Sequence, residues 1–151
     1  MSNDLDLFEL TDRAKRAQRA LATSTTAQRN GILLAISQAL VDHCEQILHA
    51  NAQDCQRAEE RGMAAGLIDR LRLDESRIRA ISSAVLDVIA LEDPVGTVIR
   101  GGRTDDGLRV TQLRVPMGVV GMIYEARPNV TVDASILCLK AGNAVILRGG
   151  S

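Results

Sequence analysis

Val119-Val120-Gly121-Met122-Ile123, then Tyr124-Glu125-Ala126-Arg127-Pro128-Asn129, then Val130–Ala141, then Gly142-Asn143 and Ala144-Val145-Ile146-Leu147: this stretch decides the fold class. Its first five residues are wholly apolar and read as a short strand of the kind buried on both faces. Val132, Ile136, Leu137 and Leu139 then recur at helical spacing, and Gly142-Asn143 stops that helix. A second apolar strand follows. A strand, a helix of about twelve residues and another strand imply two parallel strands joined by a right-handed crossover. The fold class is α/β. In such sheets ligands collect beyond the carboxyl ends of the strands, where loops enter helices.

Upstream the texture changes twice. Pro116-Met117-Gly118 interrupts the strand pattern, and before it Val95–Arg103 and Leu108–Val115 are β-prone runs around Thr104-Asp105-Asp106-Gly107. Asp-Gly predicts a hairpin, because both residues tolerate positive φ. From the N-terminus to about residue 92 the period is helical. Leu7, Leu10, Ala14, Ala17 and Leu21 form an apolar stripe on a basic helix, and Arg13, Lys15, Arg16 and Arg19 read as its solvated face. Thr25-Thr26-Ala27-Gln28 has the form of a capping box. Ile32, Leu33, Ile36, Leu40, Ile47 and Leu48 keep the helical period behind it. Asn51 is expected to cap the next segment and Gly62 to end it, while Asp74 starts a helix with Ile78, Ile81, Val85, Leu86 and Ile89 on its apolar face. Pro94 closes that helix. The chain divides into a helical part over 1–93, a hairpin over 94–116 and the strand–helix–strand unit over 117–151.

Composition excludes several classes of function. With 18 basic against 19 acidic residues among 151, and a net charge of −1, there is no electrostatic footprint for nucleic acid or an anionic membrane. One tyrosine, one phenylalanine and no tryptophan make no stacking platform for single strands. Ala84–Leu91, broken by Asp87, and Met117–Tyr124 are far too short to span a bilayer. Residues 1–6 are acidic where a leader would be basic. Three cysteines without a C-x-x-C pair argue against a disulfide scaffold or a zinc site, and Cys44, Cys55 and Cys138 read as structural thiols in helices. His43 and His49, six apart, share no helix face and form no metal pair. A cytoplasmic globular chain without metal is expected.

Two loops stand where chemistry belongs. Tyr124–Asn129 is polar, proline-braced and leads into a helix that Asn129 is placed to cap, beside amides that suit anions. Arg148-Gly149-Gly150-Ser151 joins bare backbone to a permanent charge suited to phosphate. There is no G-x-G-x-x-G and no Walker sequence. Glu125 and Asp133 lack an acid–base partner, and Asp133 reads as a helix-dipole complement. Residue types and spacing reach an α/β unit with a phosphate-binding rim, and name no substrate.

The run Val115-Pro116-Met117-Gly118-Val119-Val120-Gly121-Met122-Ile123-Tyr124-Glu125-Ala126-Arg127-Pro128-Asn129-Val130-Thr131-Val132-Asp133 resembles the signature of the gamma-glutamyl phosphate reductases, a branch of the aldehyde dehydrogenase superfamily. So does the run from Cys138 to Ser151. Asn51-Ala52-Gln53-Asp54 and Leu67-Ile68-Asp69-Arg70-Leu71 are similar to further segments of that family, so the resemblance covers nearly the whole chain. It implies reduction of L-glutamyl 5-phosphate by NADPH to glutamate 5-semialdehyde and phosphate, in proline synthesis. In that chemistry a cysteine thiolate displaces phosphate, hydride reaches the thioester, and the oxyanion needs donors. By resemblance Asn129 is the oxyanion donor, and Glu125, Ala126 and Arg127 lie between nicotinamide and thioester. Arg148 replaces a lysine that contacts the adenosine ribose or its 2′-phosphate, with Gly149, Gly150 and Ser151 following as cofactor contacts. The superfamily's Pro-Trp-Asn becomes Ala-Arg-Pro-Asn here.

Family members are much longer, and their nucleophilic cysteine lies beyond residue 151. The chain is therefore expected to be an N-terminal piece: helices of the cofactor-binding domain, an oligomer-forming hairpin and the opening of a Rossmann-type NADP fold. The catalytic domain is expected to be absent, the piece inactive alone, and its uncovered apolar surface prone to self-association. Another superfamily member acting on a different acyl donor, and a non-catalytic interaction module, are the alternatives on sequence.

Overall fold

The structure is a computed structural model and describes residues 7–125 and 127–149. Helices α1 (Leu7–Ala22), α2 (Thr26–Asp42), α3 (Cys44–Glu60), α4 (Ala65–Leu71) and α5 (Glu75–Ala90) come first. Strands β1 (Val98–Arg103) and β2 (Arg109–Leu113) follow, then β3 (Val119–Ile123), α6 (Pro128–Lys140) and β4 (Ala144–Arg148).

Side-chain caps set the starts of α2 and α5. Thr25 and Gln28 close the capping box before α2, and Asp74 accepts the Arg77 amide at 2.7 Å to start α5. Asn51 departs from expectation. It lies buried inside α3 instead of capping a segment: its side-chain amide donates to the Leu71 carbonyl at 2.8 Å and its oxygen accepts from the Leu73 amide at 2.7 Å. An interior asparagine thus satisfies the backbone of the turn after α4. The long helical period also breaks at His43, which ends α2 and begins α3.

The core forms where α2, α5 and α6 meet, on Leu33, Val85 and Ile136, with Ile36, Leu40, Val88, Ile89, Val132 and Leu139 packed around them. Between α2 and α5 the Ser37 and Ser82 hydroxyls lie 2.8 Å apart, and the Ser82 hydroxyl donates to the Ser37 carbonyl at 3.0 Å. Ser82 therefore takes an inward place where sequence put Leu86, which is 46% exposed. Small paired hydroxyls satisfy one another and allow a close approach that leucine would block.

The strands β3 and β4 are parallel, registered from Val119 opposite Ala144 to Ile123 opposite Arg148, and α6 makes the crossover. Burial on both faces of β3 is not observed: Ile123 is 81% exposed and Val119 36%. The reason is direct, since β3 has β4 as its one neighbour among the described residues and α1 packs on the same pair. Gly142 after α6 has φ 72°, and a Cβ there would lie 2.9 Å from Pro116 Cγ, so glycine is required twice over.

The hairpin pairs β1 with β2 in antiparallel register, with an irregularity between Val98 and Arg100. Its turn is longer than a two-residue Asp-Gly loop. The Gly107 amide donates to the Thr104 carbonyl and the Thr104 amide to Leu108, both at 2.9 Å. Gly107 has φ 90° and no described non-glycine residue has positive φ, so glycine alone supplies that freedom.

Candidate functional site

The site begins where β3 and β4 end. The Tyr124 amide donates to the Arg148 carbonyl at 3.1 Å, so the parallel ladder runs one step past β3 and holds the two turns side by side. Asn143 anchors the opposite end, its side-chain oxygen accepting the Gly118 amide at 2.9 Å. The Tyr124 hydroxyl reaches Thr131 at 2.6 Å, and its ring lies over Gly149, where a Cβ would stand 3.7 Å from the phenolic oxygen. One aromatic thus joins the start of α6 to the turn after β4.

Asn129 does not cap α6. The N-cap is Arg127 in extended geometry, Pro128 is the first helical residue, and no side chain caps the helix. Proline explains the shift: its fixed φ suits the first helical position, and it pushes the preceding residue into the extended region. Asn129, exposed in the first turn, donates from Nδ2 to Asp133 Oδ2 at 3.1 Å. One amide hydrogen is left for another acceptor. Asp133 therefore holds Asn129, one turn beyond where a dipole complement would sit. Between Tyr124 and α6 the chain turns tightly, the Arg127 amide donating to the Glu125 carbonyl at 2.6 Å.

Glu125, Arg127, Arg148 and Gly149 are all exposed at these turns. The guanidinium of Arg148 has no partner among the described residues. Ala126, Gly150 and Ser151, also expected as cofactor contacts, lie outside the described residues. A groove of about 400 Å³ opens beside Arg127, Pro128 and Asn129, with the segment from Asp69 to Ile81 as its other wall.

The helix behind the site is anchored by a residue that sequence reading passed over. Lys140, 4% exposed, donates from Nζ to Asn30 Oδ1 and to the Ile89 carbonyl, each at 2.9 Å. The spacing 132, 136, 140 places it on the buried face of α6, a signal present in the sequence. Tyr124 and Asn143 carried no comparable pattern.

The three cysteines are free. Cys138 lies nine residues from Asn129 along α6, about 13 Å by helical rise, and burial pushes its thiol pKa above the ordinary value. Cys44 and Cys55 line cavities away from the strand ends. His43 is exposed at the α2–α3 junction, and His49 Nε2 contacts Gln53 at 3.1 Å.

The family model described as "Aldehyde dehydrogenase family" matches residues 2–151. The chain belongs to the aldehyde dehydrogenase family. A gamma-glutamyl phosphate reductase of Clostridium perfringens is 52% identical over 139 residues, which cover 92% of this chain and 34% of that protein. The crystal structure of gamma-glutamyl phosphate reductase from Thermotoga maritima superposes with a TM-score of 0.91 at 44% identity, over 95% of this chain and 35% of that one. PnpE in complex with nicotinamide adenine dinucleotide, at 21% identity and a TM-score of 0.62 over 95% of this chain and 27% of that one, shares the fold alone. The chain spans about a third of the length of the curated relatives it matches. The aldehyde dehydrogenase-like α/β fold expected from the signature is thus the one observed.

Proposed function

We propose that this chain is the cofactor-side part of an NADPH-dependent reductase that converts L-glutamyl 5-phosphate to L-glutamate 5-semialdehyde and phosphate in proline synthesis. The observation that carries the reading is the Tyr124–Arg148 bond. It sets a glycine turn, and an arginine whose guanidinium has no partner among the described residues, beside the helix whose first turn presents Asn129. The residue types fit a dinucleotide: an exposed guanidinium for phosphate and bare backbone at Gly149 for close approach.

In this reading Arg148 and Gly149 hold the adenosine end, with Gly150 and Ser151 continuing the contact, and Glu125, Ala126 and Arg127 border the nicotinamide through their main chain. When bound, NADPH supplies the hydride that reduces the acyl carbon. A cysteine thiolate displaces phosphate from the acyl phosphate and is released when the aldehyde forms. Asn129 donates its second Nδ2 hydrogen to the oxygen that gains charge, and Asp133 fixes the plane of that amide. The thiolate is none of Cys44, Cys55 and Cys138, given where each stands. The 151 residues alone should therefore show no turnover. The family likeness supports nicotinamide chemistry, and the choice of NADPH rests on Arg148. We place the protein in the cytoplasm, where three free thiols persist. The exposed hairpin is assigned to contacts within a homo-oligomer.

The test is twofold. Fluorescence titration of the chain with NADPH should saturate, and Arg148→Glu should weaken NADPH more than NADH. A chimera carrying these residues in place of the N-terminal third of the Clostridium perfringens relative should reduce glutamyl phosphate and lose rate about 100-fold on Asn129→Ala. Absence of both NADPH binding and chimera turnover removes the reading.

A further inference from the structure

The groove beside Asn129 has features that dinucleotide binding does not use. Its walls combine Asp69, Arg70, Arg72 and Arg77 from the α4–α5 segment with Arg127 and Asn129 from the start of α6, and its lining includes neither Arg148 nor Gly149. Two of these arginines are already committed. Arg77 donates to the carbonyls of Asp69 at 2.8 Å and Arg72 at 2.5 Å, and Arg72 lies 3.6 Å from Glu59. Arg70 and Arg127 have no hydrogen-bond or ion-pair partner among the described residues. Two guanidinium groups that line one groove with no partner among the described residues suit a carboxylate.

Asp69 adds the opposite charge. Its carboxylate is 75% exposed and meets Arg77 only at 3.8 Å, which leaves most of its acceptor capacity open. Leu73 and Ile81 line the same groove and offer apolar contact for a short alkyl chain. Its volume of about 400 Å³ falls within the range of small-molecule sites.

We infer that this groove is the subsite for the α-amino acid end of the acyl donor. Arg70 and Arg127 take the α-carboxylate, Asp69 takes the α-ammonium, and the side chain runs along Leu73 and Ile81 so that the acyl carbon arrives at Asn129. The inference rests on the reaction proposed above and adds what selects its substrate. An acyl phosphate or aldehyde without the zwitterionic end loses these contacts and is discriminated against.

The test uses the 151-residue chain and three probes: L-glutamate, glutarate, which lacks the ammonium, and 4-aminobutanoate, which lacks the α-carboxylate. Binding is followed by NMR at the side-chain N–H signals of Arg70, Arg127 and Asn129. L-Glutamate should shift all three saturably, glutarate should bind more weakly, and 4-aminobutanoate should leave them unmoved. Arg70→Gln should weaken L-glutamate about tenfold or more, with partial recovery in Arg70→Lys. Asp69→Asn should narrow the preference for glutamate over glutarate. These surface variants leave the core untouched, and unchanged amide spectra elsewhere verify the fold. The inference falls if Arg70→Gln binds L-glutamate as the parent does, if no saturable shift occurs, or if inorganic phosphate shifts the same signals as effectively, which marks an unselective basic patch. Its failure is separable from that of the reaction. NADPH binding and chimera turnover with a KM indifferent to Arg70→Gln would remove the groove and keep the reductase. Arg70-dependent glutamate binding without NADPH binding would do the reverse.

Discussion

The hairpin and the helix-backed strand pair use the same secondary structure in opposite ways. Every residue of β1 and β2 is exposed, including Val98 at 61%, Val110 at 55% and Leu113 at 47%. In β4 the pattern runs from buried Ala144 through half-buried Val145, Ile146 and Leu147. Among the described residues both sheets have two strands. What separates them is helix packing: α1 and α6 pack on β4, α1 reaches β3 as well, and α6 connects onward to the core of α2 and α5. A lone two-stranded hairpin is marginal in water, so the stability of this chain resides on one side of Pro116 and in the helices. The hairpin depends on local hydrogen bonds, and its apolar side chains make no contribution until something covers them.

Substitution measures that division directly. Leu33→Ala removes a side chain with 0% exposure at the α2–α5–α6 junction and should cost about 2–5 kcal/mol in urea or thermal unfolding. Val110→Thr in β2 should change stability by less than about 0.5 kcal/mol. Equal costs at the two positions would break the comparison, for the hairpin would then belong to the same cooperative unit.

The joint between the regions should come next in size. Asp93, after α5, accepts from Thr26, from Arg29 and from the Val95 amide, the last at 2.9 Å. Arg29 is 2% exposed and its Nε is buried without a partner, so losing Asp93 strands a charge with little alternative. Asp93→Asn should cost about 3 kcal/mol. Burial pushes the Asp93 carboxyl up, but the Thr26 hydroxyl, the Val95 amide and Arg29 outweigh it and hold its pKa below the ordinary value. A carboxyl that is more acidic when folded contributes fully above its unfolded pKa of about 3.9 and loses that contribution as pH falls through its lower native value. Stability of the parent should thus fall below about pH 4 more steeply than that of Asp93→Asn. Parallel acid curves would show that the joint carries no charge-dependent stability.

How far the sequence disclosed this molecule follows from the range of each interaction. Capping boxes, Asp74, Gly142 and the strand–helix–strand order are written within a few residues, and they stand as read. Asn51 escapes a local capping rule because its partners, Leu71 and Leu73, lie about 20 positions away. Ser82 displaced Leu86 because its partner is on another helix. At Asn129 one local rule defeats another, as proline at the first helical position moves the cap back to Arg127. Of the candidate site, the proposed roles of Arg148 and Asn129 come from their loops and the resemblance, and the structure shows only that the two turns lie side by side. Asp69 and Arg70 belong to a resembling segment, and nothing in their spacing says that a short helix brings them into one groove with Arg127.

An effect smaller than that of Asp93→Asn tests the border itself. Asn143 accepts the Gly118 amide at 2.9 Å through its side chain, while the Ala144 amide donates to the Gly118 carbonyl at 3.1 Å, so the first step of the parallel ladder is half side chain. Asn143 is 6% exposed, and truncation to alanine leaves the Gly118 amide without its acceptor in a half-buried place. The cost should be about 1–2 kcal/mol. Its distribution is more informative than its size. If Pro116 divides the chain as argued, Asn143→Ala should speed hydrogen exchange at the β3 and β4 amides and leave those of β1 and β2, already fast, unchanged. The same substitution should loosen the Tyr124–Arg148 bond at the far end of the ladder, because five paired residues in a two-stranded sheet share one cooperative unit. Acceleration spreading into β1 and β2 would instead tie the hairpin to the strand pair, and the line drawn at Pro116 would have to move upstream to Asp93.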